Sequence, residues 1–233
     1  GETIDYGPCA FMDVYHPETV FSSIDHAGRY AYQNQPPIGQ WNLARFAETL
    51  IPLLDSDTDK AIEIATDALS HYPAKFEDAW LTGMRKKLGI KPSISESDSA
   101  ADRNLVESLL TWMQDNEADF TNTFDDLTTN RLEAEIYHTE AFKSWHAAWE
   151  SRLDKAGLAL ETARESMKAS NPAYIARNHR VEEALAAASN ENDLEPMNRL
   201  LELLQQPFRR RVDAEEYRAP APQGQCYRTF CGT

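Results

Sequence analysis

After residue 36 the apolar residues recur at three- and four-residue intervals, and an alternating strand pattern does not return. Leu43, Ala47, Leu50 and Leu54 fall on one stripe with Trp41 and Phe46 beside it. This period predicts a mainly α-helical chain. The first 36 residues read differently. Gly7, Pro8, Pro17, Gly28, Pro36 and Pro37 punctuate them too often for a helix, among the aromatic residues Tyr6, Phe11, Tyr15, Phe21, Tyr30 and Tyr32. Short strands and turns are expected there.

Local signals divide the helical part. Ser56-Asp57-Thr58-Asp59 has the form of a capping box and opens a helix that Pro73 should end or kink. A piece with Phe76, Trp80 and Met84 should stop near Gly89, and the polar residues 91–102 form a surface loop or a helix lead-in. Val106, Leu109, Leu110, Trp112 and Met113 mark another amphipathic helix, and Phe120, Phe124 and Leu127 a short one. Thr139 to about Met167 is the longest helical candidate, and Asn171-Pro172 breaks it and starts a helix through Ile175, Val181 and Leu185. The last helix carries Leu194 to Leu204, and Pro207 closes it. The five tryptophans, 41, 80, 112, 145 and 149, are expected in the core.

Charge narrows the function. Lys and Arg number 23 against 38 Asp and Glu, a formal −15, so a polyanion is repelled and nucleic acid is not a general partner. No apolar run approaches the roughly 20 residues of a membrane-spanning helix, and no secretory signal is visible. Three cysteines make no disulfide framework and favour a reducing compartment, the cytoplasm in a bacterium or the mitochondrion in a eukaryote. Phosphate-loop, dinucleotide, zinc-protease and nucleophile-elbow motifs are missing. His138 and His146 lack metal-ligand spacing, and Cys226 and Cys231 stand wider apart than a C-x-x-C pair. Arg209-Arg210-Arg211 is expected to pair with acids such as Glu215 and Glu216, and Arg29 and Arg45 to form structural ion pairs.

One segment carries chemistry. Ile4-Asp5-Tyr6-Gly7 follows the D-F-G pattern of the kinase metal site with Tyr for Phe. A carboxylate so placed holds Mg2+ against the phosphates of a nucleotide, and Mg2+ needs only one or two protein carboxylates. Alone, in an acidic protein, the tripeptide is more often a turn with a solvated Asp.

Its company is more specific. Ile4-Asp5-Tyr6-Gly7-Pro8, Phe11-Met12-Asp13, Gly28-Arg29-Tyr30 with Tyr32, Asn34-Gln35-Pro36 and Trp41-Asn42-Leu43-Ala44-Arg45 closely resemble the SelO (selenoprotein O-like) family. Phe120-Thr121-Asn122-Thr123-Phe124, Asn171-Pro172 with Arg177-Asn178, and Phe230-Cys231-Gly232-Thr233 continue it in order to residue 233. The resemblance implies the C-terminal helical lobe of a protein-kinase-like fold that transfers AMP from ATP to Ser, Thr or Tyr hydroxyls of proteins. It makes Asp5 the ligand of Mg2+ and a contact of ATP. The family's glycine-rich loop, lysine–glutamate pair, phosphate-holding arginines and Asp-Asn pair are absent, and the first residue is not Met. The resemblance therefore implies a piece of a longer enzyme, inactive alone, in three parts: 1–36 with the metal site, 37–205 as the helical lobe, and 206–233 as a tail. By the same resemblance Cys231 occupies a terminal redox position, to pair with Cys226 or with Cys9, where the family usually has Phe. Alternatives from the residues are a kinase lobe and a non-catalytic helical interaction module.

Overall fold

The computed structural model describes residues 10–91 and 96–222, and for Glu96 the backbone alone. Among the described residues no strand forms. The expected strands of the first segment reduce to a single antiparallel bridge between Val14 and Asp119. Residues 10–31 instead run through turns, because local side chains take the backbone donors: Asp25 accepts from both Arg29 N and Tyr30 N at 2.8 Å. A short 3-10 turn, Tyr32–Asn34, then leads into helix α1, Gln35–Leu54. Pro36 and Pro37 lie in the first turn of α1, where a missing N–H costs nothing.

Helix α2 spans Thr58–Ser70 and α3 Tyr72–Lys87. The capping box is shifted by one residue. Asp57 rather than Ser56 caps α2, its carboxylate accepting from Asp59 N at 3.0 Å and Lys60 N at 3.3 Å. Pro73 sits in the first turn of α3 and so separates the two helices, as expected. Gly89 ends α3 with φ +65°: Gly89 N donates to Lys86 O and Ile90 N to Arg85 O.

Helix α4, Glu96–Asp115, takes up much of the polar stretch read as a loop or lead-in. Helix α5, Phe120–Thr129, follows the bridge. The long candidate from Thr139 is two helices, α6 (Glu140–Lys155) and α7 (Leu160–Met167). Gly157 at φ +65° divides them, with Gly157 N donating to Asp154 O and Leu158 N to Leu153 O. Both Leu153 and Leu158 are buried, so the apolar pattern runs unbroken through the reversal and hides it. The helix expected to start at Asn171 begins later, as α8, Asn178–Ala186. Residues 171–177 are non-helical, and the buried side chains of Asn171, Tyr174 and Arg177 take partners distant in sequence: Thr128, the Arg211 backbone, and Asp13 with Asp119. Helix α9 spans Glu195–Leu204, and a kinked 3-10 segment, Val212–Arg218, forms the tail.

The main core lies between α4 and α6 and is closed by α3, α5 and α7. Trp149 is wholly buried and donates its indole N–H to Leu88 O at 2.9 Å, and Trp145 donates to Leu105 O at 2.9 Å. Trp112 is buried beside them and Trp80 packs at the margin. Trp41 departs from expectation and is 47% exposed on α1, which among the described residues packs chiefly on α2, with α3 and the turn before it adding less. The described residues include no helix long and apolar enough to cross a membrane.

Candidate active-site segment

Asp5, Cys9, Cys226 and Cys231 lie outside the described residues. The chain is described from Ala10, five positions after Asp5, and what fixes it there is unusual. Phe11 N donates to Asn178 Oδ1 at 3.0 Å, and Asn178 Nδ2 donates to Phe11 O at 2.9 Å. One amide side chain, 167 residues away, thus meets both backbone groups as a neighbouring strand would. Two residues on, the Asp13 carbonyl accepts from Phe120 N at 2.8 Å, and Tyr15 N donates to Ala118 O at 2.9 Å.

The Asp13 side chain completes the clamp. Its carboxylate accepts from Arg177 Nη1 at 2.5 Å, and Asp119 accepts from Nη1 at 2.7 Å and Nη2 at 3.2 Å. Asp119 also caps α5, taking Asn122 N at 2.7 Å. Arg177 is wholly buried. Burial works against its charge, but the bonds and charges of Asp119 and Asp13 outweigh it and hold the guanidinium pKa above its ordinary value. Burial also pushes the Asp119 carboxyl up, against the pull of Arg177.

A cleft of about 610 Å³ opens against this segment. Phe11, Met12, Phe21, Tyr30 and Ile175 line it, with Phe120 and Lys87 at its base. Lys87 Nζ lies 4.9 Å from the Phe124 ring centre and 5.5 Å from that of Phe120. Burial lowers its pKa. Asn171 stitches the same corner, donating to Lys87 O and Thr128 Oγ1, each at 2.8 Å.

The tail returns to this place. Arg218 Nη2 donates to Asp125 at 2.6 Å and to Asp126 at 3.1 Å, and Arg210 pairs with Glu215 at 2.7 Å. Ala221 N then donates to Asp13 Oδ2 at 3.3 Å. The basic run is therefore paired as expected for Arg210, while Arg211 takes Glu202 and Asp213 instead of Glu216. Arg45 forms its ion pair with Glu48 at 2.6 Å. Arg29 forms no ion pair among the described residues; its guanidinium lies over the Trp41 ring, 4.6 Å from its centre.

No three His, Cys, Asp or Glu side chains among the described residues converge on a cation position. Asp13, eight positions after Asp5, and Asp119 both accept from Arg177, so neither is free to take Mg2+. Motif reading brought Phe11-Met12-Asp13 and Arg177-Asn178 forward without a role for any of them, and the structure joins them. It missed Asp119 and Lys87. Asp119 was readable as a cap because it stands directly before the apolar set of α5. Nothing in the pattern around Lys87 marks it.

A family model described as "Protein adenylyltransferase SelO" matches residues 1–205. The chain belongs to the SelO family. Relatives named protein nucleotidyltransferase YdiU share 52% identity in Halalkalibacterium halodurans and 50% in Alcanivorax borkumensis and in Geobacillus kaustophilus. Each alignment covers 100% of this chain and 47–48% of the relative. The chain thus spans about half the length of these curated SelO-family relatives.

Proposed function

We propose that this chain is the helical, kinase-like lobe of an enzyme that adenylylates proteins. A Ser, Thr or Tyr oxygen attacks the α-phosphorus of ATP, a new P–O bond forms, and pyrophosphate leaves. Asp5 would hold Mg2+, which would neutralise charge on the phosphates, and the phosphate-binding cations would come from the part of the enzyme these 233 residues do not span. The supporting observation is the clamp on residues 11–15. Asn178 takes both backbone groups of Phe11, and the buried Arg177, paired with Asp119, takes the Asp13 carboxylate, so the chain is held a few residues from Asp5, and a metal ligand needs such rigid backing. Family membership supports nucleotidyl transfer over phosphoryl transfer.

The three-part division at residues 36 and 205 belongs to the same reading. Its tail carries a redox element. Ala221, five positions before Cys226, is bonded to Asp13, four positions after Cys9. Cys231 pairs with Cys226 or Cys9 by exchange with a small disulfide, which takes up the two electrons as two thiols.

Full-length protein incubated with a protein substrate and ATP labelled at the α or the γ phosphate tests the activity. Label retained from the α position is expected. Retention from γ alone identifies a kinase, and no retention from either leaves a non-catalytic module. The 233 residues alone are expected to show no micromolar binding of Mg·ATP by calorimetry.

A further inference from the structure

The cleft beside residues 11–15 holds a cation without a counter-charge. Among the described residues that line it, Lys87 is the one charged side chain, and Phe11, Met12, Tyr30, Phe120 and Ile175 make most of the wall. The buried guanidinium groups of Arg85, Arg177 and Arg218 each have carboxylates of their own. Lys87 has none among the described residues. Its Nζ reaches Ser170 O and Asn171 Oδ1, each at 3.4 Å, and otherwise faces the rings of Phe120 and Phe124. Two long bonds to neutral oxygens leave the ammonium short of a partner, and burial already works against its charge. An anion brought into the cleft relieves both deficits.

The surroundings narrow the anion. A triphosphate needs several cations or a cradle of backbone N–H groups, whereas one ammonium balances one carboxylate. The rim is apolar and open, with Phe11 43% exposed and Tyr30 51%. A volume of about 610 Å³ admits several side chains of a polypeptide and not only one small acid. The formal −15 of the chain repels a partner that is acidic throughout, so the fitting segment carries one acid among apolar residues. Position adds the last constraint. Ala10, on the lining, stands five residues after Asp5, and five residues span at most about 18 Å however they run. A polypeptide seated in the cleft thus passes within several residues of that aspartate.

We propose that this cleft seats the acceptor protein, and that Lys87 takes an Asp or Glu side chain a few residues from the acceptor hydroxyl. This rests on the adenylyl transfer proposed above and adds to it the kind of sequence that is modified: a Ser, Thr or Tyr with one acid and apolar neighbours within reach. Lys87 then binds the acceptor equally before and during reaction, so its effect lies in KM and not in kcat.

Full-length protein with α-labelled ATP and synthetic peptides tests it. Each peptide carries one acceptor hydroxyl, apolar neighbours and a single Glu moved over about eight positions on either side, with Ala versions for comparison. The best-placed Glu is expected to lower KM about tenfold against its Ala version, with kcat unchanged. Lys87→Met should erase the difference and Lys87→Arg should keep it. The ratio of kcat/KM for the two peptides, read on one preparation, cancels any loss of folded enzyme. Equal values for every Glu position in the unsubstituted enzyme, or a preference that survives Lys87→Met, overturns the proposal. Labelling of proteins with no labelling of any peptide also overturns it, because the cleft then takes no short acceptor segment. Labelling of neither removes adenylyl transfer itself, and the acceptor site falls with it.

Discussion

Asp102 is wholly buried between two guanidinium groups, with Arg85 Nε at 2.7 Å and Arg152 Nε at 2.6 Å. A carboxylate so placed joins α3, α4 and α6 at one point, and its removal leaves two cations in the interior without a counter-charge. Asp102→Ala is expected to cost about 3–5 kcal/mol, read from the urea midpoint. Lys87 makes a prediction in pH. Burial lowers its pKa from the ordinary 10.5, so over the interval just below 10.5 the unfolded chain binds more protons than the folded one. Stability therefore rises with pH through that window, and Lys87→Met should abolish the rise. Denaturant titrations at several alkaline pH values check it, and an unchanged slope in the variant refutes it.

At the scale of elements, glycine decides where two helices stop. Gly89 and Gly157 both sit at φ +65° and both close their helices by the same pair of backward hydrogen bonds. They differ in surroundings. A Cβ at Gly157 meets nothing within 4 Å, whereas one at Gly89 meets the Ala163 carbonyl oxygen at 2.8 Å. Gly157→Ala should cost about 1 kcal/mol of backbone strain, and Gly89→Ala clearly more, because α7 must also move. Thermal unfolding of the two variants gives the order, and equal losses would mean that the α3–α7 contact is not tight. The apolar period alone ran through Gly157 because Leu153 and Leu158 both face the core. The turn chemistry was present in the sequence but outweighed by the longer pattern.

At the scale of the molecule, the chain closes on itself around residues 11–15. The loop before α8, the start of α5 and the tail all end on that segment. Asn178→Leu removes both bonds to the Phe11 backbone while leaving the buried Arg177 pairs intact. In the full-length protein this is expected to lower the proposed adenylyl transfer about tenfold or more with little change in unfolding midpoint, since the Phe11 backbone is exposed enough to turn to water. Equal losses of activity and stability would reduce Asn178 to a packing role.

Helix content, the punctuated first segment and the family motifs were legible in the residues because they rest on local spacing and on identity at fixed positions. The partners were not. Arg177 reaches Asp13 across 164 residues, and such separation leaves no period in a sequence. Trp41 and Phe46 carry the pattern of core residues, yet both stand exposed on α1. Periodicity reports which face a helix prefers to hide; only the assembled structure says what hides it, because burial belongs to the contact between elements and not to any one of them.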